Sequence, residues 1–277
     1  MTATDLAITF ASDTRGEALP RQASPDTEGS TADGDAVSSS GEKPRLLDLF
    51  CCAGGAGKGY HDAGFDVVGI DINEQPNYPY DFHQSDALAY LEKHAGEFDV
   101  FHASPPCQAH TALTKGNRRR PGWTDEHVDL IPATRDLLDE IGKPYIIENV
   151  QGSTVRRDVT LCGVMFGLQV IRHRYFELGN WQITEKKQHV KHSGRVAGMR
   201  HGKWYDGPYF AVYGDGGGKG SVEQWQEAME IHWTKDRREL AEAIPPAYTR
   251  YLGGQLMNWL KSGGSQLTST QMTLQDV

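Results

Sequence analysis

Cysteine is scarce in this chain, and its four cysteines include no C-x-x-C pair. That argues against a disulfide framework or a structural zinc, and no metal is expected. Cys51 and Cys52 are adjacent and would point apart in a strand or turn, which opposes joint chelation. Long hydrophobic runs are also missing. Nothing approaches the 18 apolar residues of a membrane span, and the first residues lack a basic-then-apolar secretory pattern, so the expectation is a cytoplasmic protein. Positive charge is in deficit overall, with a formal net charge of −9.

The distribution of that charge changes its meaning. Residues 1–44 hold eight acids against three bases and are rich in Ser, Thr, Gly, Asp and Pro, the composition of a disordered leader. Residues 262–277 read as a flexible polar tail. The stretch EKKQHVKHSGRVAGMRHGKW carries six Lys or Arg and three His against a single Glu. Lys186, Lys187, Lys191, Arg195, Arg200 and Lys203 are its phosphate-binding candidates, set against the alternative of a solvated loop.

From Arg45 onward, short apolar or β-branched runs recur: RLLDLF, DVVGIDI, FDVFHA and PYIIENV, each followed by turn residues or a plausible helix. This alternation predicts a parallel sheet covered by helices. The segment DLIPATRDLLDEIG has helical apolar spacing and a terminal glycine, and is expected to be a crossover helix. Ligands of such sheets bind beyond the carboxyl ends of the strands. The polar residues fall there: Asp48, Asp71, Asp86, Cys107, and Glu148 with Asn149.

The glycine-rich turn in DLFCCAGGAGKGYHDAGFDVVGID mimics a triphosphate loop, but Cys52 stands where its first glycine belongs and Gly59 where Ser or Thr must follow Lys58. The dinucleotide fingerprint fails as well, since Tyr60 occupies the place of its third glycine. What remains is strand, glycine turn, helix, and a second strand ending in Asp71, which suits the hydroxyls of a ribose, while Asp86 suits an adenine amino group. An adenosine-containing cofactor follows, with plain helix caps as the competing reading. In HASPPCQ two prolines fix the backbone and present Cys107, a nucleophile candidate. Burial after two isoleucines favours the protonated form of Glu148 and makes it a proton donor. In RHRYFE, Arg172 and Arg174 would face the same way on a strand.

The order of DLFCCAGG, GIDI, SPPCQ, ENV, RHR and AIPPAYTRYLGGQL resembles the cytosine-5 DNA methyltransferase family, in its short bacterial or bacteriophage form, over roughly residues 45–260. The resemblance implies a Rossmann-like S-adenosylmethionine-dependent methyltransferase fold with a small target-recognition region. The catalytic cofactor-binding domain would be 45–177, the recognition region 178–235, and a closing helix 236–261. S-adenosylmethionine would lie against Phe50, Cys52, Ala53, Gly54, Gly55, Asp71, Ile72, Asp86, Ala87, Pro106 and Glu242. Double-stranded DNA is the implied partner of a monomer in a bacterial or phage-infected cell, touched by Gln108, Thr111 and the basic residues above. The implied catalytic set is Cys107 as nucleophile, Glu148 as proton donor, Arg174 on the base's carbonyl oxygen, and Arg172 on backbone or Glu148.

Three positions depart from the family pattern. Cys52 replaces a glycine, Glu242 an asparagine near the cofactor's amino acid end, and Val170 the glutamine before the arginine pair. Glu242 is therefore expected to alter affinity for the methionine carboxylate or to select a modified cofactor. Competing readings keep the chemistry on transfer RNA, methylate an exocyclic amino group, or bind DNA without catalysis. The second needs an aromatic residue where Cys107 stands.

Overall fold

The computed structural model describes residues 42–106, 128–214 and 217–264. β1 (Arg45–Leu49), β2 (Asp66–Asp71), β4 (Val100–Ala103) and β5 (Tyr145–Asn149) form where the four apolar runs predict them, and the short, mostly polar β3 (Asp81–Gln84) pairs with β2 at the edge. With β6 (Val159–Leu161) and β7 (Arg174–Gly179) they make a seven-stranded sheet of order β3-β2-β1-β4-β5-β7-β6.

Period-two alternation divides the core between the two faces of the sheet. Leu46, Val67, Val100 and Ile146 point to one side, and Leu47, Val68, Phe101 and Ile147 to the other. The second side is covered by α2 (Ala87–His94) and α3 (Ile131–Ile141). Here α3 is the expected crossover helix, and Gly142 ends it at φ 74°.

The expected parallel sheet is formed by β1 to β5, and β7 joins it antiparallel to both β5 and β6. Between β5 and β7 the chain forms only β6 and one 3₁₀ turn, Gly163–Phe166. No crossover helix is present there to return the chain in parallel.

The glycines of GGAGKG serve packing more than ligand approach. α1 (Gly55–Asp62) lies on α6 (Pro246–Lys261), and a Cβ at Gly59 would come within 2.1 Å of Thr249 Oγ1 and 2.2 Å of the Pro246 carbonyl oxygen. Thr249 is itself fixed, donating to the Ala56 carbonyl at 2.8 Å. Gly59→Ala is therefore expected to destabilise the fold by about 3 kcal/mol, read as a lower urea midpoint. A shift under about 1 kcal/mol would show that the helices separate freely.

The region after β7 shares the main core. Its hairpin of β8 (Gly198–Arg200) and β9 (Lys203–Tyr205) leads to α4 (Val222–Met229), which starts with a Ser221–Gln224 capping box. Trp181, Trp225 and Met229 are buried in one cluster with Tyr248 and Leu252 of α6. Residues 236–261, expected as a single closing helix, form two, α5 (Arg237–Glu242) and α6. The chain is extended at Ala243 and Pro245 between them, with Pro246 at the start of α6.

Candidate active site

The first turn leaves β1 through two left-handed non-glycine residues, Phe50 (φ 57°) and Cys52 (φ 45°), followed by Gly54 (φ 82°). Each non-glycine residue held there costs on the order of 1 kcal/mol or more. Asp71 pins the turn. Its carboxylate accepts from the Cys52 amide at 3.1 Å and from the Asn73 amide at 2.9 Å, joining the ends of β1 and β2. Trp233 Nε1 donates to the Ala53 carbonyl at 2.8 Å and holds the turn from behind.

A cleft of about 390 Å³ opens at the carboxyl ends of β1, β2, β4 and β5. Of the expected cofactor residues, Phe50, Cys52, Gly55, Asp71 and Ile72 line it on one side. Asp86, Ala87, Pro106 and Glu242 line it on the others. Ala53 and Gly54 are not among the lining residues: Ala53 is buried, and Gly54 backs onto Tyr78 and Pro79, where a Cβ would come within 2.8 Å of Pro79 Cδ. Ile72, one of the lining residues, is 65% exposed.

Two acids of the lining carry partners within the chain. Asp86 caps α2, with Oδ1 accepting from the Ala89 amide at 2.9 Å, so the helix-cap reading is realised and one oxygen of the carboxylate is engaged. Glu242 accepts from Arg238 Nε at 3.0 Å, one helical turn away in the exposed pair Arg238–Glu242. The charge of this departure from the family pattern is thus matched by a guanidinium on the same rim.

Opposite the glycine turn, the two motifs expected to carry chemistry are tied together. Asn149 Nδ2 donates to the Pro105 carbonyl at 2.9 Å, fixing the double proline against the end of β5. Ser104, Pro105, Pro106 and Glu148 all line the cleft. Cys107, Gln108 and Thr111 lie outside the described residues.

The arginine pair divides its work differently from the sequence reading. β7 begins at Arg174, so Arg172 precedes the strand and the shared-face argument fails. Arg174 Nε lies 2.8 Å from Glu148 Oε1 in a pair whose side chains are 14% and 7% exposed. Arg172 instead donates to the Val212 and Ala241 carbonyls at 2.7 and 2.6 Å, and its own carbonyl accepts from Tyr248 at 2.6 Å. Glu148 is thus paired with Arg174, and the hydrogen bonds of Arg172 go to main-chain carbonyls. Both arginines still line the cleft.

Asp48, expected at the carboxyl ends of the strands, lines the cleft and heads a buried polar chain whose other members, His102 and Tyr78, sequence reading missed. Asp48 is fully buried, with Oδ1 2.8 Å from His102 Nδ1 and Oδ2 accepting from the Tyr78 hydroxyl at 3.2 Å. His102 gave a faint signal as a lone polar residue in an apolar strand. Burial, with Asp48 and Asp71 nearby, pushes the Cys51 thiol well above its ordinary range, which leaves it a poor nucleophile.

Lys186, Lys187, Lys191, Arg195, Arg200 and Lys203 are all exposed. Lys187 stands over the rings of Phe166 and Tyr251, and Arg200 and Lys203 both approach Tyr205.

No family model matches the chain. Its sequence is similar to the type II methyltransferase M.AgeI of Thalassovita gelatinovora, at 28% identity over 59% of this chain and 47% of that protein. The chain thus spans about half the length of this curated relative. Its fold is similar to the S. pombe Dnmt2 methyltransferase, with a TM-score of 0.52 at 16% identity, covering 79% of this chain and 99% of the other. It is also similar to the Entamoeba histolytica methyltransferase EhMeth, with a TM-score of 0.50 at 13% identity, covering 81% and 100%. At these identities the shared property is the fold, a mostly parallel Rossmann-like sheet of the methyltransferase type.

Proposed function

We propose that this chain transfers a methyl group from S-adenosylmethionine to carbon-5 of a cytosine flipped out of double-stranded DNA. The carrying observation is that one cleft is lined at one end by the Asp71-pinned turn and at the other by the Asn149-tied proline pair with Glu148 and Arg174.

The residues present fit the cofactor. The cleft volume suits a ligand of that size, Phe50 and the exposed Ile72 offer apolar walls, and Asp71 and Asp86 offer acceptors at two strand ends. When bound, S-adenosylmethionine supplies an electrophilic methyl group. Asp71 orients the ribose hydroxyls, and Arg238 offsets the charge of Glu242 on the rim.

Cytosine carbon-5 is a weak nucleophile, and the protein's task is to raise its electron density. The Cys107 thiolate forms a bond to carbon-6 while Glu148 gives a proton to ring nitrogen 3, leaving an enamine whose carbon-5 accepts the methyl group. Loss of the carbon-5 proton to solvent or a protein base then restores the double bond as the carbon–sulfur bond breaks to release the Cys107 thiolate, and ring nitrogen 3 returns its proton to Glu148. Arg174 orients Glu148 and reaches the base's carbonyl oxygen, and Arg172 supports it by holding the chain at Val212 and Ala241. Neither ring carbon is accessible within a duplex, so the base leaves the stack. The exposed lysines and arginines of the recognition stretch supply phosphate contacts.

The test is bisulfite sequencing of DNA from a host expressing the chain, with nucleoside analysis of its RNA alongside. Site-specific 5-methylcytosine in DNA is expected, and methylation confined to RNA would overturn the DNA assignment. For the cofactor, Asp71→Asn is expected to weaken S-adenosylmethionine binding roughly 10- to 100-fold by calorimetry, the value of one or two charge-assisted hydrogen bonds. Unchanged affinity would remove Asp71 from the site.

A further inference from the structure

We propose that Cys162, His173, His189 and His192 form a structural zinc site that staples the basic recognition stretch to the catalytic body. The four ligand atoms lie within 4.8 Å of one another, one thiol sulfur and three imidazole nitrogens. They follow one another closely: His173 Nε2 is 3.0 Å from His189 Nε2, His189 Nε2 is 3.2 Å from His192 Nε2, and His192 Nε2 is 3.4 Å from Cys162 Sγ. A tetrahedral zinc with ordinary bond lengths sets its nitrogens about 3.3 Å apart and sulfur about 3.6 Å from nitrogen. The three shortest separations fall within a few tenths of an ångström of those figures, and the other three stay within 4.8 Å.

Hydrogen bonding alone explains the convergence less well. A proton on one Nε2 serves a single neighbour, whereas a central dication serves all four lone pairs together. One thiolate and three neutral imidazoles are a borderline-soft set suited to zinc, and four protein ligands leave no open position, as in a closed structural site. Binding releases the thiol proton of Cys162 and involves no redox change.

The position of the ligands gives the site its purpose. Cys162 follows β6 and is buried, and His173 stands between the two arginines of the cleft. His189 and His192 belong to residues 180–197, where no helix or strand longer than an isolated bridge forms. Other anchors of that stretch include Thr184 on Gln255 and Tyr251 between Glu185 and Lys187. A metal at the cluster would fix Lys186, Lys187, Lys191 and Arg195 relative to Arg172 and Arg174. Sequence reading looked for C-x-x-C and expected no metal. The ligands here are separated by 11, 16 and 3 positions and meet only in the fold.

The full chain, free of any histidine tag, is to be titrated with Co²⁺ and assayed for zinc by mass spectrometry as isolated. One zinc per chain is expected, along with tetrahedral Co²⁺ visible bands that include a thiolate charge-transfer band. Cys162→Ser is expected to remove the charge-transfer band although Cys107 remains, and His189→Ala/His192→Ala to weaken Co²⁺ binding at least 100-fold. Both histidines are outside the regular elements, so the double variant should keep wild-type circular dichroism, which separates loss of metal from loss of fold. Removing zinc with a chelator should speed proteolytic cleavage within 185–200. Sub-stoichiometric zinc with no tetrahedral Co²⁺ spectrum, or undiminished binding by the double variant, would overturn the proposal.

Discussion

Cys107→Ser is expected to lower methyl transfer roughly 10⁴-fold or more while leaving S-adenosylmethionine affinity unchanged. A serine hydroxyl at neutral pH is almost wholly protonated and adds poorly to carbon-6, so carbon-5 is never activated. The residues that hold the cofactor in the proposed arrangement, Asp71 and the turn it pins, are separate from the proline pair. A duplex carrying 5-fluorocytosine should trap wild-type protein as a covalent adduct on a denaturing gel and fail to trap the variant. The other thiols make this a sharp test. Cys51 is buried with its ionisation suppressed, and Cys162 is buried among histidines, but Cys52 lines the cleft. Cys52→Ala is therefore the necessary companion, and it is expected to form the adduct normally. An adduct that survives Cys107→Ser and disappears in Cys52→Ala would transfer the nucleophile to the glycine turn and undo the mechanism.

The parts of this site legible from sequence are those fixed by local rules. Strand alternation placed β1, β2, β4 and β5, and the strand ends gave Asp71, Asp86 and Glu148, because the cleft of such a sheet lies at its carboxyl edge. Helical spacing with a terminal glycine gave α3. What could not be read depends on contacts between distant segments. Gly59 looks like part of a ligand loop until Thr249 arrives from 190 positions away, and Asn149 looks like a strand end until it meets Pro105. The arginine pair misled because period-two geometry applies only inside a strand, and the strand starts at the second arginine. For Asp86 the two readings given by the sequence were both local, and a cap already formed by the Ala89 amide still leaves a second oxygen.

Glu148→Gln is expected to reduce kcat by about 10²- to 10⁴-fold, the usual worth of a positioned proton donor, with S-adenosylmethionine affinity little changed. Glutamine keeps the shape of the side chain, and its carbonyl oxygen can still face Arg174 Nε, so burial and the cleft wall persist. Stability should fall by only about 1–3 kcal/mol, the cost of weakening one buried charged contact while Arg174 still donates to the His173 carbonyl at 2.9 Å. Single-turnover rates then separate chemistry from binding. Arg174→Lys provides the second arm, since a lysine keeps the charge but loses the Nε that lies 2.8 Å from the carboxylate. If Arg174 acts mainly by orienting Glu148, the double variant should be little slower than Glu148→Gln alone, a strongly non-additive cycle. Additive losses would instead give Arg174 an independent contact with the base. A Glu148→Gln rate within about fivefold of wild type would mean that ring nitrogen 3 is protonated by another group, and the acid at the end of β5 would then be a structural partner of Arg174 alone.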